Sequence, residues 1–434
     1  MILLYNIVLT LVLIIGLPFW IKRAYNPKYR GTIRRRLSLD LPTLRGSPDH
    51  PMIWIHAVSV GETLAARPLI QAIAHRFPDH RIALSTVTRT GQKIAREKIL
   101  EADQTLYLPL DFSWMTARIV RQLRPSLVII METEIWPSLL YQLKRDNIPT
   151  VMVNGRLSDR SFKGYYRLRH LLRPTLNAFH HFCMQSQEDA QRMHRLGIPA
   201  DRISHTGNIK YDQAAQKPSS KSMDALTKQI GPPGNRPVWL AASTHPGEEE
   251  QLLKVHHAAS QQIVGLRMIL VPRHPERADT VAHAIEKSAL SFSRFSETQG
   301  QWTSDLLLVD DVGWLGRLYS HADAVFIGGT LIPHGGQNML EPAAWSIPPI
   351  FGPHTMNFRE AVTQLKENQA CFQVEDSNAL SEKLVELIKN PEQRTQMGNR
   401  ARQVVLDNSG SLTNTLAILL PLIRNGQATT HEPL

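Results

Sequence analysis

Two successive series of short apolar runs, each alternating with stretches of helical apolar spacing, constrain the fold of this chain more than any other feature. Runs of this kind, separated by helices, are typical of parallel sheets that are covered by helices on both faces. The first series lies at residues 52–55, 82–87, 127–130, 150–153, 182–184 and 203–205. The second lies at residues 238–242, 268–271, 306–309, 324–327, 349–351 and 372–374. The sequence therefore predicts an α/β protein with two such sheets.

A polar stretch at residues 212–236 separates the two series. It is rich in Lys and Pro and ends in Gly-Pro-Pro-Gly, so it predicts an interdomain connection that contains one short helix. The length of 434 residues also exceeds what one hydrophobic core usually organises. We predict a first Rossmann-like domain at residues 51–211 and a second at residues 237–434, which face each other across a central cleft.

The chain begins with an uncharged apolar segment, residues 1–21. A helix of about 20 such residues can cross a bilayer, so the segment predicts a membrane anchor. Residues 22–50 are basic, and no positive charge precedes the anchor. This pattern argues against a cleaved signal peptide and places the rest of the chain in the cytoplasm. The basic segment would contact anionic lipid headgroups, although a plain stop-transfer flank explains it equally well.

The net charge of +11 indicates an anionic partner, which could be nucleic acid, an anionic membrane or an anionic substrate. A nucleic-acid binder would need a platform of interleaved basic and aromatic residues, which the sequence does not show. The 2 cysteines fit no zinc or redox spacing. No histidines have metal-ligand spacing either, so we expect neither a metal nor a cofactor.

Carboxylates follow two strands of the first domain. Glu62 follows the first strand and could act as a general base on a hydroxyl, or it could be a helix-start carboxylate placed for the helix dipole. Glu132 and Glu134 follow the run at residues 127–130, and either could be structural. Arg89 and Lys210 add positive charge at other strand ends of the domain.

The second domain offers a glycine-rich loop. Gly335 and Gly336 precede a helix predicted at residues 337–345, and a helix start is a favourable seat for a phosphate. Asn338 and Glu341 lie three apart on one face of that helix, where the carboxylate could accept hydrogen bonds from a ribose diol. The alternative is a structural glycine loop with a capping Asn and a solvated Glu.

Two further loops of the second domain carry candidate anion ligands. Ser243 and Thr244 follow the strand at residues 238–242, as part of either a capping box or a phosphate seat. Arg273 stands between prolines after the next strand, where it could contact a phosphate or a carboxylate.

Six segments, taken together in their order and spacing, resemble the Kdo transferases, which attach 3-deoxy-D-manno-octulosonic acid (Kdo) to the lipid A precursor of Gram-negative bacteria. They are HAVSVGE, METEIWP, NGRLSDRS, GNIKYD, VPRHPER and GGTLIPHGGQNMLEPA. The resemblance implies a GT-B glycosyltransferase fold and an inverting, metal-independent transfer from CMP-Kdo. It also implies attachment to the cytoplasmic face of the inner membrane.

The resemblance also assigns roles to residues. Glu62 corresponds to the proposed base. Arg89 and Glu132 are expected nearby. Donor-site positions, besides the glycines of the loop, are matched by Lys210, Arg273, Asn338 and Glu341.

Two alternatives from other classes remain at this point. One is another membrane-associated GT-B glycosyltransferase that uses a UDP-sugar. The other is a non-catalytic, membrane-anchored protein that binds a nucleotide-sugar or a lipid. The sequence does not say how many Kdo units are added.

Overall fold

The computed structural model describes residues 2–16, 34–40, 42–216 and 218–428, with the side chains from residue 425 onward left out. The chain divides into two compact units. The first unit combines Met1–Gln213 with Ser409–Leu434, and the second unit is Ala214–Asn408.

The first unit contains a seven-stranded sheet in which every pair of neighbouring strands is parallel, in the order β3-β2-β1-β4-β5-β6-β7. Its strands are β1 (Met52–His56), β2 (Arg81–Thr86), β3 (Gln104–Tyr107), β4 (Pro125–Met131), β5 (Thr150–Gly155), β6 (His181–Met184) and β7 (Ile203–His205). All six predicted runs of the first series are strands. Strand β3, at the edge of the sheet, was not predicted.

Helices cover both faces of this sheet, as the alternating pattern predicted. Met52 and Trp54 of β1 belong to one buried cluster, whereas Ile53 and Ile55 belong to a cluster on the opposite face. The helices before the connection are α1 (Ile2–Ile15), α2 (Val60–Arg76), α3 (Arg89–Lys98), α4 (Ser113–Leu123), α5 (Pro137–Arg145), α6 (Asp159–Arg167), α7 (Arg169–Leu176), α8 (Gln187–Arg195) and α9 (Ile209–Ala215).

The second unit repeats this architecture with a parallel sheet in the order β10-β11-β9-β8-β12-β13-β14. Its strands are β8 (Val238–Thr244), β9 (Arg267–Pro272), β10 (Phe292–Arg294), β11 (Leu306–Leu308), β12 (Ala324–Ile327), β13 (Pro349–Phe351) and β14 (Phe372–Gln373). Its helices are α10 (Ser220–Ile230), α11 (Glu249–Ser260), α12 (Ala278–Lys287), α13 (Leu315–Leu318), α14 (Leu340–Ala344), α15 (Arg359–Glu367), α16 (Ser377–Lys389) and α17 (Pro391–Asp407). The prediction of two parallel-sheet, Rossmann-like units is confirmed.

The last helix, α18 (Ser411–Ala428), belongs to the first unit, not to the second domain in which the sequence analysis placed residues 237–434. Leu419 and Ile423 of α18 lie in the same buried cluster as Ile53. The carboxylate of Asp212 accepts the backbone N–H groups of Gly410 and Leu412, which fixes the start of the helix. The apolar spacing of α18 predicts which face is buried, but it cannot specify which sheet that face covers.

The N-terminal helix α1 packs against the first unit. The side chain of Asn6 accepts the backbone N–H of Ser113 at 3.0 Å and donates to the hydroxyl of Ser113 at 2.8 Å and of Ser138 at 3.3 Å. Tyr5 donates a hydrogen bond to Asp111, whose carboxylate also accepts the N–H groups of Ser138 and Leu139 at the start of α5.

Within the described ranges, no helix is both long enough and apolar enough to cross a membrane. Residues 1 and 17–21 of the predicted anchor, and residues 22–33 and 41 of the predicted basic segment, lie outside those ranges.

Candidate active site

Glu62 lies in the first turn of α2, directly beyond the carboxyl end of β1. Its Oε2 accepts the backbone N–H of Val58 at 2.7 Å, and its Oε1 accepts the hydroxyl of Ser59 at 2.8 Å. Ser59 in turn caps the helix by accepting the N–H of Glu62 at 3.4 Å. This reciprocal arrangement is a variant of the capping box, so Glu62 does have the helix-start role that was one interpretation of the sequence.

The surroundings of Glu62 also suit a general base. The residue is only 7% exposed. Burial raises the pKa of the Glu62 carboxyl, the bonds from Val58 and Ser59 lower it, and the negative charge of Glu132 raises it again. A carboxylate whose pKa is moved toward neutrality accepts a proton more readily at working pH. The same hydrogen bonds that cap the helix hold this carboxylate in one orientation.

Glu132 and Glu134 follow β4, the strand beside β1 in the sheet. Glu132 adopts a left-handed backbone with φ of 55°, which is uncommon for a residue other than glycine and is characteristic of functional loops. Burial, followed by the charges of Glu62 and Glu132, raises the pKa of Glu134 to about 7. The three carboxylates therefore share one electrostatic environment at the carboxyl edge of the first sheet.

The two cationic candidates of the first unit lie at other strand ends of the same edge. Arg89 is exposed at the start of α3, after β2. Lys210 is the second residue of α9, after β7, and its backbone N–H donates to the side chain of Asn208 at 3.1 Å. Lys210 belongs to the first unit, whereas the other predicted donor-site residues belong to the second.

The glycine loop of the second unit differs from the predicted phosphate seat. The carboxylate of Glu248, which is fully buried, accepts the backbone N–H groups of Gly329 at 2.7 Å and of Thr330 and Leu331 at 3.1 Å. It also accepts the N–H of His245 at 3.0 Å. The N–H groups of residues 329–331 precede the helix start that the sequence favoured for a phosphate, and their hydrogen bonds to Glu248 are made inside the protein.

The helix after this loop is also shorter than predicted. Helix α14 has five residues and begins at Leu340, whose N–H donates to Asn338 at 3.1 Å. Gly335 and Gly336 have φ of 102° and 82°. A Cβ at Gly335 would lie 2.6 Å from the side chain of Asn357, so glycine is needed there for the turn itself.

Asn338 and Glu341 contact each other, as their spacing predicted. The amide of Asn338 donates to Glu341 Oε1 at 3.1 Å, and the hydroxyl of the buried Tyr319 donates to Oε2 at 3.2 Å. Burial raises the pKa of the Glu341 carboxyl, while Asn338, Tyr319 and the positive charge of Arg273 lower it. A carboxylate accepts about four hydrogen bonds, so each oxygen retains capacity for a ligand hydroxyl.

Thr244, which the sequence placed in either a capping box or a phosphate seat, bonds within the protein. It is fully buried, and its hydroxyl donates to Glu249 at 3.2 Å. Arg277 binds the same carboxylate at 2.8 Å. Ser243 is partly exposed and has φ of 56°. Its carbonyl would lie 2.3 Å from a Cβ at Gly328, so the backbones of the two loops are in direct contact.

Three histidines meet at the carboxyl edge of the second sheet. The ring centroids of His245 and His334 are 3.9 Å apart, and those of His245 and His274 are 6.2 Å apart. Gln337 contacts His245 Nε2 at 2.9 Å. Sequence analysis missed this cluster because the residues are far apart in the chain. The only signal was that each follows a strand of the second series. Across the described residues, no group of three or more His, Cys, Asp or Glu side chains is arranged to hold a metal ion.

Two family models match the chain. The model described as 3-Deoxy-D-manno-octulosonic-acid transferase (kdotransferase) matches residues 32–213, and that of the glycosyl transferases group 1 matches residues 308–404. The 3-deoxy-D-manno-octulosonic acid transferase of Haemophilus influenzae is 36% identical over 407 residues, which are 92% of this chain and 93% of that protein. The chain belongs to the Kdo transferase family. The Kdo transferase of Bordetella pertussis is 31% identical, over 85% of this chain and 86% of its own.

Solved structures with the same fold are more distant from this Kdo transferase in sequence. A glycosyltransferase from Rickettsia africae aligns with a TM-score of 0.55 and 16% identity, over 87% of this chain and all of its own. A UDP-GlcNAc 2-epimerase from Neisseria meningitidis aligns with a TM-score of 0.57 and 13% identity, over 86% and 100%. These likenesses concern the GT-B-like architecture of the transferase alone.

Proposed function

We propose that this Kdo transferase takes its sugar from CMP-Kdo and transfers it, with inversion and without a metal, to a hydroxyl of the lipid A precursor. The observation that carries the proposal is the buried, doubly hydrogen-bonded Glu62 carboxylate in a member of this family. An inverting transfer needs a base for the acceptor hydroxyl and stabilisation of the departing nucleotide.

Glu62 removes the proton from the acceptor hydroxyl. Its two internal hydrogen bonds leave acceptor capacity on both oxygens, and burial strengthens it as a base by raising its pKa. Glu132 and Glu134 add negative charge at the same strand ends and favour uptake of the proton by the cluster. In this mechanism neither Glu132 nor Glu134 contacts the reacting atoms.

The second unit binds the donor. Arg273 is exposed beyond β9 and supplies a permanent positive charge for the leaving phosphate. Glu341, oriented by Asn338 and Tyr319, accepts hydrogen bonds from the ribose hydroxyls. Gly335 and Gly336 shape the loop before α14. Lys210 and Arg89 remain candidates for further contacts with the anionic substrates.

We propose that residues 1–21 attach the transferase to the cytoplasmic face of the inner membrane. Asn6 and Tyr5 turn one face of α1 toward the first unit. The other face exposes a strip of large apolar side chains, which a lipid phase would cover: Leu3, Leu4, Ile7, Val8, Leu11, Val12, Ile14 and Ile15.

Aromatic residues extend this apolar surface. Trp114 of α4 and Tyr141 of α5 are 55% and 49% exposed, on the two helices whose first turns hold Asn6. Trp and Tyr are favoured at the level of lipid headgroups. The basic residues 22–50 would add electrostatic attraction to anionic lipids.

The decisive experiment is the mass spectrum of the product formed from a lipid A precursor with CMP-Kdo, in excess EDTA. We expect the acceptor mass to increase by Kdo residues. Glu62→Gln protein serves as the inactive control, and UDP-sugars serve as competing donors. Transfer from a UDP-sugar but not from CMP-Kdo would contradict the donor assignment, and loss of transfer in EDTA that Mg²⁺ restores would contradict metal independence.

A further inference from the structure

We propose that His245, His274 and His334 form an imidazole seat on the second unit that binds an anionic group of the donor and takes up a proton as it does so. The inference rests on the proposed use of CMP-Kdo and adds a second anion-binding subsite to it. The ligand class is a nucleotide-activated sugar acid, which carries a phosphodiester and a carboxylate.

The three imidazoles come from the loops that follow β9, β8 and β12, which are consecutive in the sheet. His245, at 4% exposure, lies beneath the two others, whose side chains are open to solvent. The rings of His245 and His334 overlap with centroids 3.9 Å apart. A Cβ at Gly329 would lie 3.3 Å from His245 and 3.4 Å from His334, so glycine at this position permits the two rings to pair.

The backbone donors of residues 329–331, beside the cluster, are already engaged. The N–H groups of residues 329–331 are donated to Glu248, and α14 is a helix of only five residues. Arg277 is paired with Glu249 at 2.8 Å. Among the second-unit residues assigned to the donor, Arg273 carries the one permanent positive charge. The donor carries two negative charges, and imidazoles at the same strand ends can supply another positive charge.

The charges around the cluster explain why proton uptake would accompany binding. Burial, then the neighbouring His334 and His274, then Arg273 and Arg277, lower the pKa of His245 to about 4. An anion placed among these groups opposes the repulsion between their positive charges and favours the charged imidazole. Because the rings are coupled, the proton belongs to the cluster, not to one residue.

The carboxylates near the three histidines do not supply the negative charge that a bound anion would. The Glu248 carboxylate is occupied by four backbone N–H groups. Glu249 is occupied by Thr244 and Arg277. Glu276 approaches His274 Nδ1 at 3.3 Å, but it is largely exposed and its charge is screened by solvent.

The test measures CMP-Kdo binding to the full chain by calorimetry, without acceptor, between about pH 6 and pH 8.5. Carboxylates titrate near pH 4 or below and a phosphodiester has no second proton, so the donor keeps its charge across this range. Uptake of one proton strengthens binding by up to about tenfold per pH unit. We expect the affinity for CMP-Kdo to rise about three- to tenfold as the pH falls across the range. Binding enthalpies measured in buffers of different ionisation enthalpy should show that the protein takes up protons when CMP-Kdo binds.

His274→Gln and His334→Gln alter exposed rings. We expect each to weaken donor binding near pH 6, and the double variant to bind with a flat pH profile. His283→Gln is the matched control, because His283 is an exposed histidine on α12 outside the three loops. Donor affinity independent of pH, with no proton uptake by the wild-type protein, would overturn the inference but leave the proposed function intact. Failure to bind CMP-Kdo at any pH would overturn both.

Discussion

The carboxyl edges of the two sheets occupy the same position in two similar folds, yet they carry opposite chemistry. The edge of the first unit gathers carboxylates, with Glu62 and Glu134 in one coupled environment. The edge of the second gathers imidazoles and a guanidinium, with His245 and His334 stacked and Arg273 beside them. The difference matches a division of labour in which one unit removes a proton and the other holds an anion. Fold alone does not decide which task an edge performs.

The largest effect is expected at Glu62. Glu62→Gln keeps an acceptor for the capping box but removes the base, so we expect turnover to fall about 10²–10⁴-fold with almost no change in melting temperature. Glu62→Ala removes both the base and its half of the capping box, and it should also lose about 0.5–1.5 kcal/mol of stability for each hydrogen bond lost. The measurements are transfer to a lipid A precursor at saturating CMP-Kdo and a melting curve for each protein. Wild-type turnover in the Gln variant would leave Glu62 a purely structural residue and direct the search to Glu132 and Glu134.

The next effect should appear on the second unit as weakened nucleotide binding. Glu341→Gln and Asn338→Ala each disturb the carboxylate proposed to hold the ribose, at a cost of about 1–3 kcal/mol, or roughly 5- to 150-fold in affinity for CMP. Tyr319→Phe, which removes only the hydrogen bond to Glu341 Oε2, should weaken CMP binding less. Calorimetric titration with CMP is the measurement. Unchanged affinity in all three variants would show that this edge does not bind the nucleotide.

The third effect is on membrane binding, which we assign to the first unit because α1 packs on it. We expect deletion of residues 1–21 to leave a folded, active enzyme that partitions several-fold less to vesicles containing anionic lipid. Because the Asn6 and Tyr5 contacts are lost, it should melt slightly earlier. Asn6→Ala, measured by the same flotation assay, removes the docking contact but keeps the apolar strip. A truncated chain that fails to fold would place the segment within the core of the first unit.

The smallest effect concerns the pH dependence of stability. The pKa of Glu134 is raised from 4.5 to about 7, so between these values the folded protein binds more protons than the unfolded chain does. The contribution of Glu134 to the free energy of unfolding is fully present below about pH 4.5 and is lost as the pH rises through about 7. Glu134→Gln should therefore melt with the wild type near pH 5 and roughly 2–4 °C above it near pH 8. The control is Glu97→Gln, an exposed carboxylate of the same unit. Equal shifts at both pH values would show that the folded protein does not raise the pKa of Glu134.

Sequence reasoning succeeded where the signal is local. The apolar runs predicted the central strands of both sheets, and the positions directly after them gave Glu62 and Glu132 as candidates. The short edge strands β3 and β10 were not predicted, because neither Gln104–Tyr107 nor Phe292–Arg294 is a continuous apolar run. The hydrogen bonds from the glycine loop to Glu248 join residues more than 80 positions apart, so no local pattern predicts them. The donor and its acceptor came from family resemblance, not from any pattern of charge or spacing.

The return of α18 to the first unit also has a consequence for biosynthesis. The second unit is one uninterrupted stretch, Ala214–Asn408, inserted into a first unit whose helix α18 is synthesised after it. Leu419 and Ile423 cannot cover the sheet until they have left the ribosome, so the nascent first unit exposes an apolar face while the whole inserted unit is being synthesised. The inserted unit can complete its core first, against the usual N-terminal-first order. Until α18 has been synthesised, that apolar face of the unit that bears the carboxylates lacks its cover.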